Sequence, residues 1–376
     1  MTQYDVAIIG AGIIGLTHAY HATRAGLKVA VFEREPQAQG ASVRNFGMLA
    51  IVAQAPGAQL DSARRTLACW KDLAPKAGIT LRQAGCVFLA RAPEEMAVLE
   101  ECAARQNETG HRFDRLTAAV LADHVADLPA EDYLGGLHSP DAWKVDQRQA
   151  LSRLSDWLQR EHGVAFHFST PAEAVQTGRL KTPAGTFRTG HTILCGGDDF
   201  CTIFPEAFRA ANLGRCRLQM LRTVPQPDNW QLSPFVLGGL SVTRYGTFND
   251  CPSLPALKAY QQKNFADHLA HGIHVIACQE ADGSITIGDS HAYDTAGECT
   301  RSDEVDRLIL EELSQMIALP DPRIADRWLG HYAHSPDGET RVLTPDDKVT
   351  AVTMTNGQGM THGFAVAEKV IQNLFG

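Results

Sequence analysis

The chain has 376 residues, 44% of them hydrophobic and 20% charged, and a formal net charge of −9. That length exceeds one ordinary core, so two domains are expected. The negative balance, with no dense Lys/Arg run, argues against nucleic acid as a partner, and no apolar stretch reaches the ~18 residues that span a bilayer.

The nine cysteines are scattered without a CxxC pair, which gives neither a zinc template nor a disulfide framework. Reduced thiols and no metal are the expectation. The N-terminus runs directly into a strand and leaves no room for a signal peptide, so a cytoplasmic location is expected. Net charge does not forbid an anionic small substrate, because a few local arginines set the potential inside a pocket.

The first stretch carries the strongest signal. Asp5–Ile9 is a β-branched run suited to a buried parallel strand, and Leu16–Ala25 reads as a helix. Between them Gly10, Gly12 and Gly15 make a GxGxxG turn that also contains Ile14. The three glycines serve steric ends: a tight turn, close approach to a pyrophosphate, and close helix–strand packing. A second strand, Lys28–Phe32, ends at Glu33, where an acid would accept from a ribose hydroxyl. Strand, turn, helix, strand and acid in this order predict a dinucleotide site. The motif does not separate FAD from NAD, but its place at the N-terminus points to FAD.

The segment from Arg34 to Met48 is a loop, broken at Pro36 and Gly40, with Ser42, Arg44 and Asn45 offering donors and acceptors. Ligands of open α/β sheets bind at the carboxyl ends of strands, so the loop should lie along the cofactor. Phe46–Val52 leads it inward.

A helix is predicted over Gln59–Ala77, a strand over Cys86–Ala90, and amphipathic helices over Glu94–Asn107 and Leu116–Leu128. Gly135–Pro140 reads as a turn-rich strand edge, and Trp143–Asp146 leads into a helix over Arg148–His162. This stretch lacks the opening's βαβ rhythm and predicts an inserted domain. The first pattern resumes with Val164–Phe168, Thr170–Ala172, and a run from Phe187 to Cys195 that ends in Gly196 and Gly197.

From Arg215 to about Arg323, strands are predicted over Arg217–Thr223, Phe235–Val242, His274–Cys278 and Ser284–Gly288. Helices are predicted over Leu254–His271 and Asp303–Ile317. Strands without crossovers favour an antiparallel sheet, which suits a wall over a flavin. The tail repeats the opening device: strand Val349–Thr355, glycine-rich loop Asn356–Gly363, helix Phe364–Phe375. A helix N-terminus there would stabilise negative charge on a reduced flavin.

These residues resemble the D-amino-acid oxidase superfamily of FAD-dependent oxidoreductases, which includes glycine and sarcosine oxidases. The resemblance runs through Gly10/Gly12/Gly15, Glu33, Gly40–Gly47, Cys195–Gly197, Asp282–Gly288, Trp328–Gly338 and Asn356–Gly363. Gly40–Met48 and Gly357–Thr361 look most like a clade associated with aminophosphonate breakdown. The resemblance implies an α/β fold: a Rossmann-like FAD-binding domain (1–80, 145–218, 325–376) with an inserted α+β substrate domain on an antiparallel sheet (81–144, 219–324).

Glu33 would then hold the adenosine ribose with Arg34 beside it, and Ala172 would meet the adenine. Ser42, Arg44, Asn45, Phe46, Gly47 and Met48 would run along pyrophosphate and flavin. Cys195 and Gly196 would line the cofactor, and Gly359, Met360 and Thr361 would approach the flavin pyrimidine. Two departures stand out. Tyr332 takes the position of an arginine that grips a substrate carboxylate, and a guanidinium's bidentate fit is lost with it. Gly330 takes the position of the flavin-linking cysteine of the sarcosine-oxidase branch, so noncovalent FAD is expected.

Such an enzyme would bind a small amine carrying an anionic group and aim its C–H bond at flavin N5. Oxygen or another electron acceptor would then reoxidise the flavin. The predicted reaction is oxidation of an aminophosphonate, 2-aminoethylphosphonate or its N-methyl derivative, to the aldehyde plus ammonia or methylamine. The alternatives are a glycine/sarcosine-type or D-amino-acid oxidase and, in another class, a noncatalytic flavoprotein. Substrate-facing candidates are Arg44, Tyr332, His291, His331, His334 and His362. An NAD-dependent dehydrogenase would share the opening motif but has no use for the C-terminal glycine loop.

Overall fold

The computed structural model describes residues 3–129, 133–293 and 299–376. The first sheet has eight strands, with Gln3–Ile9 between Val29–Phe32 and Gly185–Leu194. Ala165–His167 adds beyond Val29–Phe32, and all of these pairings are parallel. Val349–Met354 joins Gly185–Leu194, also parallel. Val6, Ala7, Ile8, Ala30 and Val31 are fully buried, as a parallel sheet covered on both faces requires. On one face lie the helices Ile13–Arg24, Ala58–Leu73, Gln147–His162 and Gly359–Phe375. Phe364 packs edge-on against both Tyr20 and Trp70, so the two ends of the chain share one core. The FAD-domain architecture predicted for this half is what the sheet has.

The second sheet has nine strands. Its order runs Ala292–Tyr293, Gly214–Thr223, Ile285–Gly288, Ile276–Gln279, Phe235–Leu237, Cys86–Ala90, Gly135–Ser139, Asp114–Thr117. It is antiparallel except where Phe235–Leu237 meets Cys86–Ala90 in parallel; the chain leaves for the first sheet between them. Ile324–His334 pairs along almost its whole length with Gly214–Thr223. That pair puts residues 214–218 and 325–334 in the second sheet, although the sequence reading grouped them with the first.

Several elements differ from expectation for identifiable reasons. Gly135–Ser139 lies inside the sheet, not at its edge, and a Cβ at Gly136 would stand 2.6 Å from the Phe88 carbonyl oxygen. Its glycines serve close strand approach rather than turns. Leu116–Leu128 divides into a strand, Asp114–Thr117, and a short helix, Ala118–His124. The strand from Phe235 stops at Leu237 and a 3₁₀ turn, Gly239–Ser241, follows; a Cβ at Gly239 would overlap the Glu95 carboxylate. The helix from Leu254 breaks at Phe265. Among the described residues, no helix is long and apolar enough to cross a membrane.

Candidate active site

The Gly10 turn owes its shape to steric exclusion. Gly10 has φ +101°, and a Cβ there would sit 2.4 Å from the Cys195 carbonyl oxygen; one at Gly15 would sit 1.9 Å from that of Gly10. The helix that follows has Gly12 at its N-cap with no side-chain cap of its own, which leaves first-turn N–H groups for a phosphate. Glu33, nearly buried, accepts from Ala11 N–H through Oε2 (2.8 Å) and from Glu35 N–H through Oε1 (3.0 Å). The carboxylate therefore buttresses the turn as well as lining the groove. Ser42 Oγ accepts from Ile13 N–H at 3.0 Å and ties the following loop to the helix start.

These parts line a groove of about 400 Å³ bordered also by Ile14, Arg34, Arg44, Asn45, Ala172, Cys195, Gly196, Gly359 and Met360. Arg34 is engaged by Asp199 at 2.8 Å. Gly15 and Gly47 stand behind the wall. A Cβ at Gly47, with φ +67°, would sit 2.1 Å from the Val145 carbonyl oxygen.

The loop through Asn45 and Phe46 is held by residues that motif reading did not find. Gln147 donates to Asn45 O (2.6 Å), and the buried Lys144 ammonium donates to Phe46 O (2.8 Å) while facing Glu280 Oε2 at 3.3 Å. Both donors follow from the strand Trp143–Val145, which pairs with Met48–Leu49. Their signal in sequence is weak, since one lysine and one glutamine carry no motif.

The groove opens into a chamber of about 530 Å³, with Arg44, Asn45, His331, Tyr332, Gly357 and Met360 lining both. Phe46, Met48, Met220 and Ile276 supply apolar wall; Gly330, Thr361 and His334 also line the chamber. Tyr332 lies against Gly357, where a Cβ would meet its ring at 3.2 Å and φ is +73°. Burial raises the Tyr332 phenol above its usual range, so it is a neutral hydrogen-bonding group. Arg44 donates to Leu329 O at 3.1 Å and its carbonyl accepts from Trp328 Nε1 at 3.1 Å, which anchors it to the Ile324–His334 strand at the junction.

His291 lines the chamber as expected. His362 does not, and its candidacy is corrected. Its Nδ1 meets Ser62 Oγ and its Nε2 meets Gln54 Oε1, both at 3.0 Å, and burial lowers its pKa to about 4. It lies one helical turn into Gly359–Phe375, on the face that packs against Ala58–Leu73.

The chamber also contains groups that sequence reasoning missed. Arg244 donates to the Tyr293 hydroxyl at 3.3 Å, and His274 and Asp289 line the same wall. Asp289 is buried, which pushes its carboxyl up to about 7 against the pull of Arg244. Burial, with Arg244 adding repulsion, holds His274 and His291 well below the usual histidine range. Arg244 sits in a loop with no motif around it, and Asp289 follows a strand whose partner only the tertiary structure names.

A groove that starts at a pyrophosphate turn and ends beneath a walled chamber accommodates a dinucleotide carrying a redox ring: the fold and site define a flavin-dependent oxidoreductase. The model of the FAD dependent oxidoreductase family, DAO, matches residues 5–373, and the chain belongs to that family. Its cofactor is FAD, and it is an FAD-dependent oxidoreductase.

Among its relatives is one of the subunits of opine oxidase from Rhizobium meliloti, 24% identical over 350 residues that cover 90% of this chain and 84% of that one. N-methyl-L-tryptophan oxidase of Salmonella arizonae is 27% identical over 217 residues, 54% of this chain and 56% of that protein. Among solved structures, glycine oxidase from Geobacillus kaustophilus aligns with a TM-score of 0.78 and 17% identity, covering 100% of this chain and 95% of that one. L-proline dehydrogenase from P. horikoshii aligns with a TM-score of 0.78 and 18% identity, over 100% and 94%. These two likenesses concern the fold.

Proposed function

We propose that the protein oxidises a small amine bearing a distal anion, an aminophosphonate such as 2-aminoethylphosphonate or its N-methyl derivative, to the aldehyde and ammonia or methylamine. The observation that carries this reading is the cation set of the chamber. Arg244, on a wall that the cofactor groove does not share, is free of any carboxylate within ion-pair distance among the described residues and hydrogen-bonds to the Tyr293 hydroxyl. Tyr332 stands where the family resemblance would put a carboxylate-gripping arginine. A guanidinium displaced from that strand suits an anion set further from the amine, as in an aminoalkylphosphonate. The relative named N-methyl-L-tryptophan oxidase makes the N-methyl form the first to test.

Bound FAD supplies the two-electron acceptor for the amine carbon. The chain's own residues do the rest. The open N-terminus of Gly359–Phe375, whose N-cap Gln358 provides no side-chain cap, would stabilise negative charge on the reduced cofactor. Phe46, Met48 and Met220 exclude water from the reacting face, and Arg244 fixes the substrate's far end. Gly330, which has no thiol to offer, lines the chamber where the family resemblance would put the flavin-linking cysteine, and this supports noncovalent flavin.

Anaerobic mixing of the yellow holoprotein with each amine tests the reading. Aminophosphonates should bleach the flavin faster, at equal concentration, than glycine, sarcosine or D-alanine. Comparable or faster bleaching by the amino acids overturns the phosphonate assignment, and no bleaching by any amine overturns catalysis of this kind.

A further inference from the structure

Buried polar groups in a folded protein are almost always hydrogen-bonded, and an orphan at a functional wall calls for a partner. Asp289 is such an orphan. It is 6% exposed and lines the chamber, and its Oδ1 has no hydrogen-bond partner. The groups around it do not satisfy it. His291 Nδ1 lies 3.1 Å from Gly272 O; a carbonyl only accepts, so the ring proton sits on Nδ1 and Nε2 carries a lone pair. That lone pair faces Asp289 Oδ2 at 3.8 Å, acceptor to acceptor. His274 Nε2 is 3.3 Å from Oδ1 without hydrogen-bond geometry, while its Nδ1 meets Ser241 Oγ at 3.2 Å. The two imidazoles stack with ring centroids 5.2 Å apart, so neither can swing to the carboxylate without losing its own partner.

We propose that Asp289 is the proton acceptor of the reaction: it binds the substrate's ammonium group in the chamber and takes one of its protons before the C–H bond breaks. One N–H bond breaks, its electron pair stays on nitrogen as the lone pair that drives oxidation, and one O–H bond forms on Asp289. The substrate becomes the neutral amine and the carboxylate becomes the neutral acid. The charged neighbours arrange the two ends. Arg244 holds the anion and repels the ammonium toward Asp289, and His274 and His291, kept neutral beside Arg244, add no competing positive charge. Tyr245, Tyr293 and Tyr332 complete the titratable groups facing the cluster, and burial raises the phenols of Tyr245 and Tyr332. An acceptor with a carboxyl pushed up to about 7 matches the operating range that favours general base catalysis. This assignment rests on amine oxidation and not on the phosphonate.

The experiment follows flavin bleaching in anaerobic single turnovers of the holoprotein against pH, with whichever amine bleaches it fastest. In the wild type the rate should rise about tenfold per unit below pH ~7 and level above it. Asp289→Asn should retain the flavin spectrum, lose ~100-fold or more at pH 7, and recover only as pH nears the pKa of an alkylamine, ~10. Asp289→Glu should restore the limb near neutrality. An infrared titration of the substrate-free holoprotein gives a second readout: the carbonyl stretch of a protonated acid should vanish as pH passes about 7 and be missing in Asp289→Asn. A wild-type rate flat from pH 6 to 8, an unchanged profile in Asp289→Asn, or no acid titrating near neutrality overturns the proposal. Bleaching by an amino acid but not by an aminophosphonate overturns only the substrate assignment, because the pH profile is then read on the amino acid.

Discussion

Single residues decide whether the cofactor and the substrate anion are held. Gly10→Ala would force a Cβ to within 2.4 Å of the Cys195 carbonyl at a φ of +101°, a strain of order 1–3 kcal/mol at the pyrophosphate turn. The expected outcome is protein that folds but elutes from gel filtration with little bound flavin, measured as flavin absorbance per chain. Arg244→Met should weaken capture of an anionic amine by about 2 kcal/mol or more, about 30-fold in KM, with a far smaller change in kcat. Steady-state kinetics with 2-aminoethylphosphonate and with ethylamine check it, since the uncharged analogue should lose little. The glycines were legible because a GxGxxG turn between strand and helix has one physical reading. Arg244 and Asp289 were not, because nothing in the loop after Ser241 or the strand before Asp289 says which cavity it will border.

At the scale of elements, the helix Gly359–Phe375 depends on contacts its own sequence does not announce. Trp70 Nε1, fully buried on Ala58–Leu73, donates to Met360 O at 3.1 Å. Trp70→Phe removes one buried hydrogen bond to a carbonyl that keeps its helical partner, a cost of about 0.5–1.5 kcal/mol. A lower thermal midpoint and faster loss of flavin on dilution are expected, followed by calorimetry and by flavin fluorescence. His362 illustrates the limit of reading such an element from sequence. Its place in a glycine-rich loop suggested substrate contact, but the helix already starts at Gly359 and turns His362 toward Ser62 and Gln54. Periodicity found the parallel strands readily, since their apolar runs are continuous. It misjudged Gly135–Ser139, whose glycines look like a turn and exist for strand contact.

For the whole molecule, burial of histidines sets the response to acid. His18 and His362 both have folded pKa values of about 4, below the ~6.5 of an unfolded chain. The unfolded state therefore binds more protons between those values. Their contribution is fully present above pH 6.5, shrinks as pH falls, and is lost by about pH 4, up to about 3 kcal/mol for each. Asp289 acts in the opposite sense: its folded pKa of about 7 exceeds that of the unfolded chain, so its burial costs stability as pH rises from 4 to 7. His21 also lies at about 4, and His274 and His291 are held well below the usual range, so the histidines outweigh the raised carboxyls of Asp289 and Glu95. The thermal midpoint should fall from pH 6.5 to 4, and His362→Gln should flatten the fall. Calorimetry across that range checks both. Acid precipitation should also leave the flavin in the supernatant, as noncovalent binding requires; colour remaining in the pellet would mean a covalent bond.

The sequence by itself determined the cofactor fold. Strand period, turn sterics and the acid after the second strand are local properties, legible wherever the rest of the chain goes. The same chain order, with a glycine loop at each end, was enough to indicate that both ends serve one nucleotide. Only the tertiary structure decided the chamber. Its wall is assembled from Arg44, Arg244, His274, Asp289, His291 and Tyr332, which lie far apart along the chain and meet because Ile324–His334 lies along Gly214–Thr223. Substrate recognition depends on distances and fields between such groups, and those are set by strand pairing and burial that no local pattern encodes.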